Sequence, residues 1–227
     1  MTTLSKKKKK YEHILWDWNG TLLDDVDLCI ETINVLLKKY KLPPLSKDNY
    51  RSIVDFPIVN YYQRLGFNFK EKSFEEVGSE FMEIYREKWR DCRLQPDAER
   101  VLDWFKDKDI PQSILSASEI NLLRQGVEHF KVRDYFKELT ALNHQFATSK
   151  IELGKKLAEK LKVHPSRLLL IGDTLHDFKV SQVIGADCLL LSCGHHPPEL
   201  LSSTRAPLLS ALQEIPDFLD SCFGDAP

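Results

Sequence analysis

The sequence predicts an α/β protein: a three-layer, doubly wound, mostly parallel sheet interrupted by an inserted α-helical segment. Three observations lead there. Short apolar runs at residues 13–16, 112–115, 167–171 and 188–191 alternate with helical stretches, and strands that are apolar throughout belong to parallel sheets covered on both faces. Residues 26–92 show helical periodicity alone, over a length that suits a small inserted domain. Finally, three of the apolar runs end in short polar residues, Asp17, Ser116 and Asp173, at what would be one rim of one sheet.

Each element has a local reason. Residues 13–16 form a strand that breaks at Asp17-Trp18-Asn19-Gly20-Thr21. Residues 26–40 place Leu28, Ile33, Leu36 and Leu37 on one helical face, and Pro43-Pro44 stops them. Ser46 is suited to cap the next helix, and Pro57 to open another in its first turn. Residues 71–90 read as a long amphipathic helix with Phe74, Val77, Phe81, Ile84, Tyr85 and Trp89 inward. Beyond them come a helix over 96–106, a strand over 112–115, a helix over 119–129 and a weaker strand over 138–142. A helix over 150–161, a strand over 167–171, a helix over 175–184 and a strand over 188–191 complete the alternation. The expected division is a basic lead-in (1–10), a core (11–25 and 93–227) and a helical domain (26–92).

Composition narrows the class. The net charge of -2 gives no reason to expect nucleic acid or an acidic partner, and the run from Lys6 to Lys10 reads as a solvated, disordered lead-in. No stretch approaches the roughly 18 apolar residues of a membrane span. The five cysteines (Cys29, Cys92, Cys188, Cys193, Cys222) are odd in number and lack C-x-x-C spacing. That pattern favours free thiols in a reducing cytoplasm. A chain of this size buries roughly 70% of its unfolded surface and folds without disulfides or metals.

The rim residues carry the chemistry. Singly, each has a plain explanation: Asp17 as a turn residue, Ser116 or Ser118 as a helix cap, Asp173 or Thr174 as the cap of the helix from Leu175. Together they place two carboxylates side by side, which repel unless a cation or proton intervenes. Mg2+ takes one or two carboxylates with water and phosphate. Asp17 and Asp173 therefore read as a magnesium pair, with Asp177 supporting metal-bound water. Ser116 and the N–H groups opening its helix suit phosphate oxygens. Lys150, after Thr148-Ser149, suits charge neutralisation, as phosphoryl transfer requires.

These residues resemble the haloacid dehalogenase superfamily, whose core is Rossmann-like. Its four motifs are matched in order by DWNGTLLDD (17–25), ILSAS (114–118), the lysine of TSKIELGKKLAEKL (148–161) and IGDTLHD (171–177). Lys155 or Lys156 is an alternative to Lys150 as the third-motif lysine. The resemblance, which extends to phosphoglycolate phosphatase-like members with a helical cap, implies a Mg2+-dependent phosphatase acting on a small phosphorylated metabolite. In it, Asp17 would form an aspartyl-phosphate. Asp17, Asp173 and the backbone carbonyl of Asn19 would hold Mg2+. Thr21, Ser116 and Ala117 would lie at the phosphate, and Lys150 would balance charge. A monomer or homodimer is expected.

One departure stands out. Phosphatases of the family usually carry aspartate two residues after the nucleophile, where this chain has Asn19. An amide cannot shuttle a proton, and a general acid or base contributes roughly 10²–10⁴-fold. Two alternatives therefore stay open: a catalytically weak phospho-ligand-binding or interaction protein, and a phosphotransferase or mutase. Asp24 and Asp25 are read as carboxylates capping the following helix, with replacement acid as the second reading. His176 is placed at the site's edge, and His195-His196 in a structural loop. Arg64, Lys70 and Lys72 are read as solvated surface charges.

Overall fold

The apolar run His13–Trp16 is strand β1, and every one of its side chains is buried. A computed structural model describes residues 11–143 and 150–223. The lysine run 6–10 and the Thr148-Ser149 pair lie outside the described residues. After β1 come β2 (Leu23–Asp24) and four helices: α1 (Val26–Lys39), α2 (Lys47–Ile53), α3 (Ile58–Arg64) and α4 (Phe74–Lys88). The chain then runs through β3 (Arg93–Leu94), α5 (Ala98–Asp107), β4 (Gln112–Glu119), α6 (Ile120–His129) and β5 (Phe136–Leu142). It continues with α7 (Lys150–Leu161), β6 (Leu168–Gly172), α8 (Leu175–Ile184) and β7 (Asp187–Leu191). Short α9 (Pro198–Leu201), β8 (Leu208–Leu209) and α10 (Ile215–Phe223) close the described chain.

Six strands form one sheet in the order β5-β4-β1-β6-β7-β8, with every neighbouring pair parallel. Alternation along the strands divides their side chains between two faces. Ile14, Trp16, Ile114 and Ile171 pack with Phe105, Leu123 and Val127 on one side. Leu15, Leu115, Leu168 and Leu170 pack with Leu157, Val180 and Ile184 on the other. Each such side chain contributes about 1.5–3 kcal/mol of transfer free energy, so the pattern of β1, β4 and β6 is enough to fix a helical layer on each face.

The four helices between β2 and β3 close a cluster of their own around Ile33, Leu36, Tyr50, Tyr61, Tyr62 and Val77. The segment leaves and returns through an antiparallel two-residue ladder, Leu23 with Leu94 and Asp24 with Arg93.

Several boundaries differ from expectation. Helix α4 starts at Phe74, three residues later than expected, because Ser73 and Glu76 form a capping box that satisfies the first free N–H groups. Pro57 flanks α3 and does not enter its first turn. Strand β4 runs on through Ser116 to Glu119, its register with β5 broken between Leu115 and Glu119. Among the described residues no helix is long and apolar enough to cross a membrane.

Candidate active site at the carboxyl rim of the sheet

In an open parallel sheet, groups at the carboxyl ends of the central strands converge where the crossovers diverge. Here β1 lies between β4 and β6. Asp17 follows β1 directly, and Asp173 follows β6. Both are buried, and Asp173 is sealed from solvent. Lys150, the first residue of α7, is buried beneath them, its Nζ 2.5 Å from Asp17 Oδ1 and 2.5 Å from Asp177 Oδ1. Lys155 and Lys156, the alternative lysines, are instead exposed, and Lys155 pairs with Glu152.

Asp177 is held in place locally. Thr174 caps α8 by accepting a hydrogen bond from the Asp177 N–H, while the Thr174 N–H and hydroxyl donate to Asp177 Oδ2 at 3.0 and 2.6 Å. One carboxylate thus closes a capping box and receives the lysine, which fits a residue that positions others.

Asp173 is held equally firmly. The Thr21 hydroxyl donates to its Oδ1 at 2.6 Å, and the His195 backbone N–H donates to its Oδ2 at 2.7 Å. Thr21, expected at the phosphate, is fully buried and turned to this carboxylate. Gly20 explains the tight approach: its φ is +75°, and a Cβ there would stand 2.3 Å from Asp173 Oδ2. Any other residue would face both a strained backbone and a clash with a buried carboxylate.

Asp17, Asp173 and Asp177 each offer an oxygen, all mutually within 4.8 Å. Burial, then Asp177, pushes the Asp17 carboxyl up to about 8 despite Lys150, and burial pushes Asp173 up to about 6. Burial alone would lower the Lys150 ammonium, but the two carboxylates override it and raise it above its usual range. Three buried carboxylates against one lysine leave excess negative charge. An all-oxygen donor set with that excess fits a hard divalent cation such as Mg2+.

Ser116 and Ala117 line the same cavity as Asp17, Asn19 and Lys150. They sit in the irregular end of β4, with no place at a helix N-terminus as the sequence suggested. The Ser118 N–H donates to Ser116 Oγ at 3.0 Å, and this local turn delays the helix to Ile120.

Asp25 stands at the N-cap position of α1 as expected, but its side chain makes no capping hydrogen bond and turns into the site. The fully buried carboxylate accepts from Gly20 N–H (2.9 Å), Asn19 Nδ2 (2.7 Å) and the Tyr85 hydroxyl (2.7 Å), with His195 Nε2 3.4 Å away. Burial would raise this carboxyl, yet His195, Asn19 and Tyr85 hold it below its usual range. Asp24, by contrast, is exposed.

The histidine pair also departs from a plain loop. Burial would lower His195, but Asp25 first and then Asp173 and Asp17 push it up to about 9. Its Nδ1 lies 2.9 Å from the Tyr50 hydroxyl of α2. His196 does serve structure: Leu175 N–H donates to its Nδ1, and its Nε2 lies 3.1 Å from the Val54 carbonyl. His176 lines the cavity and stacks on Phe56 with ring centroids 5.0 Å apart. Signals for Asp25 and His195 were faint, because both depend on which way a loop side chain turns. Arg64 and Lys72 lie at the surface, paired with Asp55 and Glu80.

The model of one protein family, described as haloacid dehalogenase-like hydrolase, matches residues 14–191. The chain belongs to that family. It is 23% identical over 209 residues to a Clostridium perfringens (strain 13 / Type A) protein named as a pyrophosphatase, PpaX, covering 90% of each chain. It is also 23% identical over 222 residues to a Saccharomyces cerevisiae (strain ATCC 204508 / S288c) protein named as a pseudouridine-5'-phosphatase, covering 88% of this chain and 93% of that one. Among solved structures it superposes on a haloacid dehalogenase-like family hydrolase from Streptococcus pneumoniae with a TM-score of 0.79 at 16% identity, covering 92% of this chain and 98% of that one. At that identity the superposition speaks for the fold alone.

Proposed function

We propose that this hydrolase is a Mg2+-dependent phosphatase that transfers the phosphoryl group of a small metabolite to Asp17. The observation that carries the reading is the buried Lys150 ammonium bridging Asp17 and Asp177 beside Asp173, at the end of a cavity large enough for a ligand. Asp17 and Asp173, with the Asn19 backbone carbonyl, would hold Mg2+, which when bound supplies charge neutralisation to the phosphoryl group.

An Asp17 carboxylate oxygen attacks phosphorus, the bond from phosphorus to the leaving oxygen breaks, and an aspartyl-phosphate results. Water then attacks that phosphorus and returns Asp17 as a carboxylate. Lys150 and the Ser116 hydroxyl steady the charge and the phosphoryl oxygens. The Asn19 amide donates hydrogen bonds to Asp25 and Tyr85 (2.7 and 2.9 Å) and supplies no proton to the leaving group. Leaving groups that depart without protonation, such as acyl or aryl oxyanions, therefore suit the site better than simple alkoxides.

Residues 26–92 act in this reading as a cap over the core of residues 11–25 and 93–227. Support comes from their separate apolar cluster and from a cavity lined by both parts. The test is phosphate release from acetyl phosphate with Mg2+. It is expected to be present in the native chain and reduced by about a thousandfold or more in Asp17→Asn, since loss of a nucleophile leaves only binding and electrostatic contributions. Full activity in that variant would overturn the assignment.

A further inference from the structure

The cavity above Asp17 has a volume of about 250 Å3, and its character changes sharply with height. Charged and hydroxylic groups gather at the core end. Above them the lining comes from residues 26–92 and is largely aromatic and apolar, with Phe56, Tyr61, Tyr62, Phe81, Met82 and Tyr85. Lys150 is the one lysine among the described lining residues, there is no arginine among them, and its ammonium is already engaged by two carboxylates. The two lining histidines are engaged as well: His176 stacks on Phe56, and His195 is paired with Asp25. Glu119 adds a carboxylate at the lining, held by Arg86. A second anionic group on a ligand would enter this space without a counter-charge, which is costly in a desolvated site.

Tyr61 lines the cavity with its ring, fixed edge-on between Tyr50 and Tyr62 at centroid distances of 5.9 and 5.7 Å, while its hydroxyl is buried out of reach. Size sets the remaining bound: a cavity of about 150 Å3 holds benzene, so the space suits a phosphoryl group with one ring.

We infer that the substrate is the phosphate monoester of an uncharged, single-ring phenol, and that esters with a second anionic group are selected against. This rests on the phosphatase reading of Asp17. It differs from the expectation raised by phosphoglycolate phosphatase-like sequences, and it disfavours pyrophosphate, which carries a second anionic phosphoryl group.

The test is a matched panel of phenyl phosphate, 4-carboxyphenyl phosphate and pyrophosphate, with acetyl phosphate as a control lacking any ring. Phenyl phosphate is expected to exceed 4-carboxyphenyl phosphate by about tenfold or more in kcat/KM, the scale of one unpaired charge in a closed site. Met82→Lys, at a partly exposed lining position, is expected to narrow or invert the bias against the carboxylated ester. Equal or better hydrolysis of 4-carboxyphenyl phosphate or pyrophosphate, with acetyl phosphate also cleaved, would overturn the substrate class and leave the phosphatase reading standing. Failure to release phosphate from any compound would overturn the phosphatase reading. The same ester ranking, read as thermal stabilisation of Asp17→Asn protein, would then still decide the substrate class.

Discussion

Asn19 looked from the sequence like a lost proton carrier, and in three dimensions it is a donor with two acceptors. Its amide holds Asp25 and Tyr85 in one hydrogen-bonded group that also reaches His195. An aspartate at position 19 would face the Asp25 carboxylate at the same 2.7 Å separation, and like charges that close raise each other's affinity for protons. A carboxyl raised in the folded state loses stability as pH rises above its unfolded value near 4. Asn19→Asp is therefore expected to cost about 1–3 kcal/mol near pH 8, and distinctly less near pH 5, where one proton can be shared. Urea denaturation at the two pH values checks this. The double change Asn19→Asp with Asp25→Asn exchanges donor and acceptor, and is expected to recover the stability while placing an acid beside the cavity. Turnover of an alkyl phosphate above that of the native chain would show the gain.

At the scale of elements, α4 and α8 each begin with a capping box, and only the second touches the site. Ser73→Ala and Thr174→Ala are both expected to cost about 1 kcal/mol of stability, the usual worth of a helix cap. Phosphate release is expected to fall in Thr174→Ala alone, because there the cap also fixes the carboxylate that receives Lys150. Chemical denaturation beside a single-substrate rate separates the two effects. The same elements show what was legible beforehand. Helices α7 and α8 and strands β1 and β6 were readable because their apolar spacing and ending residues lie within one short window. Strands β2, β3 and β8 were not, since two residues cannot display an alternation. Asp17, Asp173, Asp177 and Lys150 could be picked out because strand ends and helix starts position them. Asp25 and His195 could not, because their contacts lie across the fold, with Tyr85 on α4 and Tyr50 on α2.

For the whole molecule, the raised Asp17 and Asp173 carboxyls make stability depend on pH and cation together. Without a divalent ion, both groups favour protonation in the folded state, so their contribution is present below about pH 4 and lost as pH rises, through about 6 for Asp173 and about 8 for Asp17. Mg2+ held by the deprotonated pair, as proposed, would restore what is lost. The increase in Tm on adding Mg2+ is therefore expected to be larger near pH 8 than near pH 5. Differential scanning calorimetry with and without the ion measures it. An equal shift at both pH values would count against these carboxylates as the ion's ligands.

The central place of β1 has a consequence for synthesis. The strand is complete by Trp16, but its two neighbours arrive much later: the His13 side chain meets Ser113, 100 positions on, and Trp16 pairs with Ile171. Until β6 has left the ribosome, an apolar edge that is buried in the finished protein has only one flank to lean on, or none. The helices of residues 26–92, which gather their own apolar cluster from near neighbours, can form in that interval, because local contacts close faster than distant ones. The nascent chain is thus expected to carry a folded helical knob on an unfinished sheet, with the first strand waiting for the last of its partners.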